Sequence, residues 1–361
     1  MIYVSEGLLY VCFAILTGSL LLQLVPEDKR PSVSVPSGLL LACVIAIPVL
    51  SYVPIHKLAL VFAKDFDMTY SSILKSILLD INTGKAWLWT TIGSAGLAFL
   101  LGLKAFRGDK HMPKVALFVT FLLIVWFGYA GHASSLYGFR GLITHASHFL
   151  AVSVWIGILF VVSWFSKDNA NWKAFLRWFS PVAIACVLVT LLAGFVLMSF
   201  TTPEYVNAWM LPYGQMLLIK HLLILPLLLF AYSNGFIYKK MAKRNPAFNP
   251  RRWLQAESII ALLVLAATGA LGQQTPPHTV KETLQTVSPS PLFTSVYKGS
   301  FSPDIALQFT LHMESILMLA AAVLMAGGLI WMYHTNKLIP AFIMGILTAV
   351  FGYFGLMFSI A

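Results

Sequence analysis

Long apolar stretches fill the chain, and short polar segments separate them. A helix needs about 20 mostly apolar residues to cross a membrane. About ten stretches approach that length, so the pattern predicts an all-α, polytopic transmembrane helical bundle. The second stretch is the weakest, because Pro48 and Pro54 interrupt it. The predicted spans are Glu6–Leu24, Gly38–Val53, Gly84–Phe106, Val115–Ala130, Ile143–Ser166, Trp178–Phe200, Gln215–Tyr238, Trp253–Gly272, Ile305–Tyr333 and Ile339–Ile360.

The polar segments between the spans suggest how the chain is organised. Residues Tyr70–Ile81 have the pattern of an amphipathic helix lying at the membrane surface. The proline-rich segment Gln273–Pro303 is the largest polar stretch and is predicted to cap the bundle outside the cytoplasm. We therefore expect three parts, which are an eight-helix membrane core at 1–272, an extracytoplasmic loop at 273–303, and two additional transmembrane helices at 304–361.

Composition excludes several classes of protein. Of the 361 residues, 59% are hydrophobic and only 10% are charged, which excludes a disordered chain and disfavours a soluble domain. The net charge of +11 comes from Lys and Arg spread along alternate loops, so no nucleic-acid partner is predicted. The positive-inside rule then places both termini outside the cytoplasm. The sequence shows no arrangement of a nucleophile with a general base, so an enzyme is not predicted.

The three cysteines, Cys12, Cys43 and Cys186, lie far apart in apolar stretches, and the sequence contains no CxxC motif. Neither a disulfide framework nor a thiolate metal site is predicted from this spacing. We interpret these cysteines as small packing residues.

Several polar residues fall inside or beside the predicted spans, where an ionisable group costs about 2.5–3.5 kcal/mol and usually faces the bundle interior. In the predicted orientation, five histidines from four helices lie near the outer face. Imidazole and thioether groups bind copper, and imidazole also binds haem iron. A copper ion or, alternatively, haem b is therefore the predicted cofactor, while each histidine alone is also compatible with an interhelical hydrogen bond. The candidate ligands are His132, His145, His148, His221, His312 and Met313.

Three further polar residues lie within spans. Lys220 extends toward the interface, pairs with an acid, or loses its charge when a cation binds. Asn234 and Glu257 are expected near the same membrane face, where they can form a hydrogen bond between neighbouring helices. Glu257 then acts either as a proton or ion relay or as a structural acid.

Short motifs in this region resemble the copper resistance D family of bacterial membrane proteins (CopD-, PcoD- and YcnJ-like), over about residues 115–280. One such motif is the helix with the pattern His-x6-Trp-x-Gly, here His148, Trp155 and Gly157. A second has the pattern Tyr-Gly-x-x-Leu-x-x-Lys…Asn, here Tyr213, Gly214, Leu217, Lys220 and Asn234. Two further similarities are Gly131-His132-Ala133 and the stretch Glu257…Leu271-Gly272…Pro276.

The resemblance implies copper movement across the cytoplasmic (inner) membrane of a bacterium, mostly inward. It carries family positions over to His132, His148, Lys220, Asn234 and Glu257. Because no copper-binding domain precedes the first helix, we expect a separate extracytoplasmic copper-binding protein as a partner, beside the lipid bilayer.

These observations predict an integral membrane copper transport protein, with uptake through a histidine and methionine site in the outer leaflet. The sequence contains neither an ATP-binding loop nor an aspartyl-phosphate motif, so a pump is not predicted. Two alternatives stay open at this stage. One is a b-type haem electron-transfer protein that uses the same histidines as axial ligands, and the other is a copper-delivery assembly factor.

Overall fold

The computed structural model describes residues 2–103, 109–238, 241, 248–299, 301–302 and 305–360. Within them the chain forms thirteen α-helices, which confirms the predicted polytopic helical bundle. The helices are α1 (Ile2–Leu24), α2 (Ser37–Asp65), α3 (Tyr70–Asp80), α4 (Asn82–Gly102), α5 (Met112–Tyr129), α6 (His132–Phe165), α7 (Trp172–Thr201), α8 (Pro212–Tyr232), α9 (Pro250–Leu271), α10 (Val280–Thr286), α11 (Pro291–Val296), α12 (Met313–His334) and α13 (Leu338–Met357).

Each predicted span coincides with one of these helices, and nine described helices are long and apolar enough to cross a membrane. The predicted span Gly84–Phe106 is α4, which is not one of the nine because Thr, Ser, Gly and Trp residues lower its hydropathy. The last residues of that prediction lie outside the described part of the chain, as do Ser300 and Pro303 in the predicted cap.

The chain divides into two compact units, unit 1 (Met1–Leu197) and unit 2 (Met198–Ala361), with the boundary near the end of α7. The division into a core, a loop and two extra helices remains a prediction. Each unit is described separately below.

Several helix boundaries differ from the prediction. Helix α2 ends at Asp65 and not at Val53, and two further differences have local reasons. Helix α6 begins at His132 and not at Ile143, so His132 opens this helix and does not end the one before it. Gly131 adopts an extended conformation (ψ 153°) that separates the two helices. Gly138 then kinks α6 with a positive φ of 54°, a conformation that glycine tolerates without steric cost. In unit 2, α12 begins at Met313 and not at Ile305, because extended His312 provides the N-cap.

Helix α2 continues through both of its prolines. The Trp87 indole of α4 donates a hydrogen bond to the Pro48 carbonyl (2.8 Å), and the Ser51 hydroxyl donates to the Ile47 carbonyl (2.7 Å). Polar side chains from the same or a neighbouring helix commonly stabilise the backbone beside a transmembrane proline. The prolines therefore do not divide this span.

The central pair of unit 1 is α1 and α6, which are parallel. A Cβ atom added to Gly18 would lie 2.2 Å from the Gly157 carbonyl carbon, and one added to Gly157 would lie 2.3 Å from the Ala14 carbonyl oxygen. Small residues four positions apart let transmembrane helices approach this closely. The glycine of the His-x6-Trp-x-Gly pattern is thus a helix-packing residue.

Unit 2 is built around α8. The Gly345 and Gly352 positions of α13 face the Pro226 and Leu222 side chains of α8 at close range. The buried Gln215 amide accepts a hydrogen bond from the Tyr353 hydroxyl (2.7 Å). The final helix pair therefore packs directly onto α8.

The segment between α9 and α12 covers one end of unit 2. It contains the short helices α10 and α11, and the Phe293 side chain is completely buried among the apolar residues around Trp209 and Met210. The Ser290 N–H also donates to the Met210 carbonyl (2.8 Å). This proline-rich segment is part of the unit 2 core.

Candidate functional site: two histidine regions and a buried polar network

One face of α1 runs alongside one face of α6 with a constant register. Gly18 meets Gly157, and the Tyr10 ring packs on the Phe149 ring with centroids 5.5 Å apart, so both pairs are separated by the same number of residues. Continuing that register by one turn brings Glu6 to the level of His145. A carboxylate and an imidazole thus occupy the same end of the helix pair.

Aromatic rings surround this end of unit 1. The Phe127 ring of α5 lies 5.7 Å from the His145 ring and 5.9 Å from the Tyr10 ring. The Tyr10 hydroxyl donates a hydrogen bond to a Glu6 carboxylate oxygen (2.8 Å). The polar groups of Glu6 and His145 are therefore positioned by a packed aromatic cluster.

The His145 imidazole lies directly against the backbone that precedes His132. A Cβ atom on Gly131 would come within 2.3 Å of His145 Nδ1, so only glycine fits at position 131 with His145 in this orientation. The His132 residue follows immediately and is exposed. The Gly131-His132-Ala133 pattern thus has a steric reason, because its glycine makes room for the His145 ring.

One turn further along α6, His148 faces α7. The His148 Nδ1 atom lies 2.9 Å from the Thr190 carbonyl oxygen, and the His148 ring packs beside Gly194. A hydrogen bond to a backbone carbonyl fixes the tautomer and orientation of an imidazole that binds a metal. His132 therefore begins α6, while His145 and His148 lie one turn apart in its middle, after the Gly138 kink.

His221, in unit 2, is half-buried, and its Nδ1 atom is 2.8 Å from the Tyr205 hydroxyl. Burial raises the pKa of Tyr205, in the loop before α8, to about 12. The phenol therefore keeps its proton at neutral pH and can donate it to the imidazole. Tyr205 was not predicted from the sequence, because no pattern connects it with His221.

The two candidate ligands at the start of α12 are exposed to the surroundings. His312 caps the helix in a capping box with Ser315, and its Nε2 atom is 3.0 Å from the Thr310 hydroxyl. Met313 has 70% of its surface exposed. The capping interaction accounts structurally for a histidine at position 312.

Lys220 is half-buried on α8, and none of the described carboxylates forms an ion pair with it. The part of the chain that the structure describes also contains no group of three or more His, Cys, Asp or Glu side chains arranged to hold a metal ion. The histidines of each unit are thus neighbours of other polar groups without forming a complete ligand set.

Asn234 and Glu257 form the hydrogen bond expected from the sequence. The Asn234 amide nitrogen donates to the Glu257 carboxyl (2.8 Å), and both side chains are buried. The Tyr333 hydroxyl of α12 donates to the Asn234 amide oxygen (3.1 Å). The additional helix pair thus contributes a third member to this network, which the family pattern alone did not indicate.

The backbone beside this network is irregular. Asn234 belongs to a π-helical turn, Ser233–Ile237, and such turns are frequently found at functional sites. The Trp253 ring packs against the Tyr333 ring with centroids 4.3 Å apart, and its indole N–H donates to Asn336 (3.2 Å). Helices α8, α9 and α12 are therefore joined at one polar position.

Comparison with known proteins agrees with this fold and these motifs. The chain matches the sequence model "Copper resistance protein D" over residues 173–271 and the model "Copper resistance protein D-like, N-terminal domain" over residues 1–142. The fold and both matches define a multi-pass membrane protein associated with copper resistance. The chain belongs to the copper resistance protein D family.

A curated relative is the "Inner membrane protein YebZ" of Escherichia coli (strain K12), which is 24% identical over 179 residues. The aligned region is 46% of this chain and 59% of that relative, so the chain spans less than two thirds of the relative's length. No solved structure matches the chain.

Proposed function

We propose that this protein imports copper across the cytoplasmic membrane of a bacterium, with both termini outside the cytoplasm. The ion first binds in unit 1, near His132 and His145 of α6. The observation that carries the proposal is the contact of Gly131, next to His132, with the His145 ring, together with Glu6 at the level of His145 and His148 one turn further along α6. Membership of the copper resistance protein D family supports copper as the ion.

Imidazole nitrogen and carboxylate oxygen suit copper in an entry site that is open to a donor protein. His132 begins the short segment before the Gly138 kink, whereas His145 belongs to the packed part of α6. Arrival of copper draws His132 toward His145, and movement at the kink completes the ligand set. A separate extracytoplasmic copper-binding protein supplies the ion at this end.

The second part of the proposal concerns unit 2. Glu257 is the acid that exchanges a proton during transport, and Asn234 and Tyr333 hold it in place. Its support is a carboxyl group buried to 3% exposure with an amide as its hydrogen-bond partner among the described residues. His221, Lys220, His312 and Met313 remain candidates for later positions of the ion.

The deciding experiment measures copper in cells that express wild-type protein or H132A, H145A and H148A variants at equal levels. We expect each variant to lose most of the copper accumulation. The matched control is H111A, since His111 is an exposed histidine before α5. Wild-type accumulation in the H148A variant contradicts the proposed site.

The purified protein separates the two alternatives. A haem protein would show a Soret band and one equivalent of iron, which would reassign the histidines as axial ligands. A delivery factor would bind copper but give no copper flux in proteoliposomes.

A further inference from the structure

A groove in unit 1 lies between α2 and α4. Its volume is about 390 Å³, which is within the range of cavities that bind small molecules. Ile45 and Val49 of α2 line it and are 53% and 62% exposed, so the groove opens toward the surroundings of the bundle. Both residues belong to a helix that is long and apolar enough to cross a membrane. A molecule that enters this groove therefore comes from the lipid bilayer.

Two polar groups in the lining of this groove lack their usual hydrogen-bond partners. Ser94 is 2% exposed, and its hydroxyl has no partner within the described part of the chain. Pro48 has no N–H, so the Val44 carbonyl loses the donor that an α-helix normally provides. Buried polar groups are almost always hydrogen-bonded. A ligand that carries polar atoms therefore fits this groove better than a plain hydrocarbon chain does.

A chain of hydrogen bonds connects another part of the groove with an exposed imidazole. The Tyr52 hydroxyl, in the lining, is 2.9 Å from the Tyr70 hydroxyl of α3, which is 2.8 Å from His56 Nδ1. The Trp87 ring, also in the lining, lies against the Tyr52 ring with centroids 5.1 Å apart. Ser94 is seven residues beyond Trp87 along α4, which is roughly 10 Å at the rise of an α-helix. The groove thus has a hydroxyl group toward each end and an aromatic wall beside one of them.

The direction of this hydrogen-bond chain can reverse. With a hydrogen on Nδ1, His56 donates to Tyr70, Tyr70 donates to Tyr52, and the Tyr52 hydrogen is available to a carbonyl in the groove. In the other neutral tautomer, Tyr70 donates to His56 and Tyr52 donates to Tyr70, so the Tyr52 oxygen can accept from a hydroxyl. Tyr52 can therefore bind a carbonyl or a hydroxyl group at the same position.

We propose that this groove binds a lipid-soluble quinone. The flat ring lies beside Tyr52 and Trp87, one ring oxygen bonds to Tyr52, the opposite oxygen bonds to Ser94, and the isoprenoid tail extends into the bilayer. A quinone has two carbonyl acceptors and its quinol has two hydroxyl groups, which match both directions of the hydrogen-bond chain. The described lining contains no Lys, Arg, Asp or Glu side chain, so the site favours a neutral head over a lipid phosphate, whose usual partners are Arg and Lys.

The test titrates the purified, full-length protein in lipid nanodiscs with decylubiquinone and follows binding by thermophoresis. We expect Y52F to bind the quinone at least tenfold more weakly than wild type, because the ring of the wall remains and only the hydroxyl is lost. S94A should bind it several-fold more weakly. Y232F is the matched control, since Tyr232 is an exposed tyrosine in unit 2, and it should bind like wild type. Wild-type affinity in both Y52F and S94A overturns the proposal.

A second measurement needs no substitution and so does not depend on the folding of variants. The wild-type protein is titrated with decylubiquinone, with decylubiquinol and with decylbenzene, which has the same tail and a flat ring without oxygen atoms. We expect the quinone and the quinol to bind within about threefold of each other, and decylbenzene to bind at least tenfold more weakly. Equal binding of decylbenzene would identify a groove for any apolar chain, such as a lipid acyl chain, and overturns the proposal.

A photoreactive azidoquinone locates the bound ring. Peptide mass spectrometry should find the label on α2 or α4 of the wild-type protein. A98L fills the groove with a larger side chain and should remove most of this label, while A320L, at an exposed alanine of α12, should not. Labelling that is confined to other helices, or that is equal in A98L and wild type, contradicts the assigned groove.

This inference does not rest on copper import, and the two proposals fail independently. If H148A accumulates copper normally while Y52F loses quinone binding, the entry site is wrong and the quinone site stands. If H148A abolishes accumulation while Y52F and S94A bind decylubiquinone like wild type, import through the histidines stands and the quinone site is wrong.

Discussion

Gly18 and Gly157 bring the backbones of α1 and α6 into direct contact, and a Cβ atom on Gly18 would lie 2.2 Å from the Gly157 carbonyl carbon. An alanine at either position has to push the two helices apart. Because this pair sets the register that aligns Glu6 with His145, the contact positions the candidate copper site as well as the core.

We expect G18A and G157A each to lower the stability of the protein in detergent by about 1–3 kcal/mol, the range found for overpacked cores. Thermal unfolding followed by fluorescence checks this. The control is G96A on α4, where an added Cβ meets no atom within 4 Å. Equal thermal stability of G157A and G96A would show that the close contact is unimportant.

Substitution of Gly131 tests the proposed entry site more directly than substitution of Gly18 or Gly157. Its substitution by alanine places a methyl group 2.3 Å from the present position of His145 Nδ1, so the imidazole has to rotate away. We expect G131A to reduce copper accumulation in cells several-fold while the protein still folds, since the Gly131 φ of −75° is open to alanine. The double variant G131A/H145A should be no worse than H145A. An additional loss in the double variant would mean that Gly131 acts elsewhere.

Glu6 tests whether a carboxylate belongs to the same site. E6Q retains the size of the side chain but removes its charge, so we expect several-fold lower copper accumulation at equal expression. Y10F is the matched control, because it removes the hydrogen bond to Glu6 and leaves the carboxylate in place. If E6Q accumulates copper like wild type while H145A does not, Glu6 is not a ligand.

The network in unit 2 predicts non-additive effects on stability. N234L leaves the buried Glu257 carboxyl without its described partner and should cost about 1–3 kcal/mol, while Y333F should cost about 0.5–1.5 kcal/mol. The Tyr333 hydroxyl donates its hydrogen bond to Asn234, so N234L already removes that bond. The double variant should therefore lose little more stability than N234L alone. Thermal unfolding of the four proteins in detergent measures this.

The control for this double-mutant cycle is Y232F, because Tyr232 is an exposed tyrosine at the end of α8, next to the turn that contains Asn234. It should leave stability unchanged within about 0.5 kcal/mol. Full additivity of N234L and Y333F would show that the two hydrogen bonds are not coupled.

Much of this fold can be predicted from the sequence because spans are set by local composition. The Asn234–Glu257 bond was also predictable, since the two residues lie near the facing ends of consecutive helices. The pairing of α1 with α6 was not, because helices distant in sequence leave no local signal of contact. For the same reason Glu6 was treated only as the first residue of a span.

The boundaries that differ from prediction depend on single backbone angles. His312 is extended and ends the preceding apolar segment, although the hydropathy there continues without a break. Gly138 has a positive φ, and the conformation of a glycine inside an apolar stretch cannot be predicted from the sequence around it. Tyr333 was missed because it lies beyond the region of the family motifs.

The final helix pair is attached to α8 at two distant points, Tyr353 to Gln215 and Tyr333 to Asn234. These points are about 28 Å apart along the helix axis, by the rise per residue. A sliding movement of α12 and α13 along α8 would break both bonds together, and a rotation would break at least one. We therefore expect these three helices to move as one body in the proposed transport, with any hinge of unit 2 outside them.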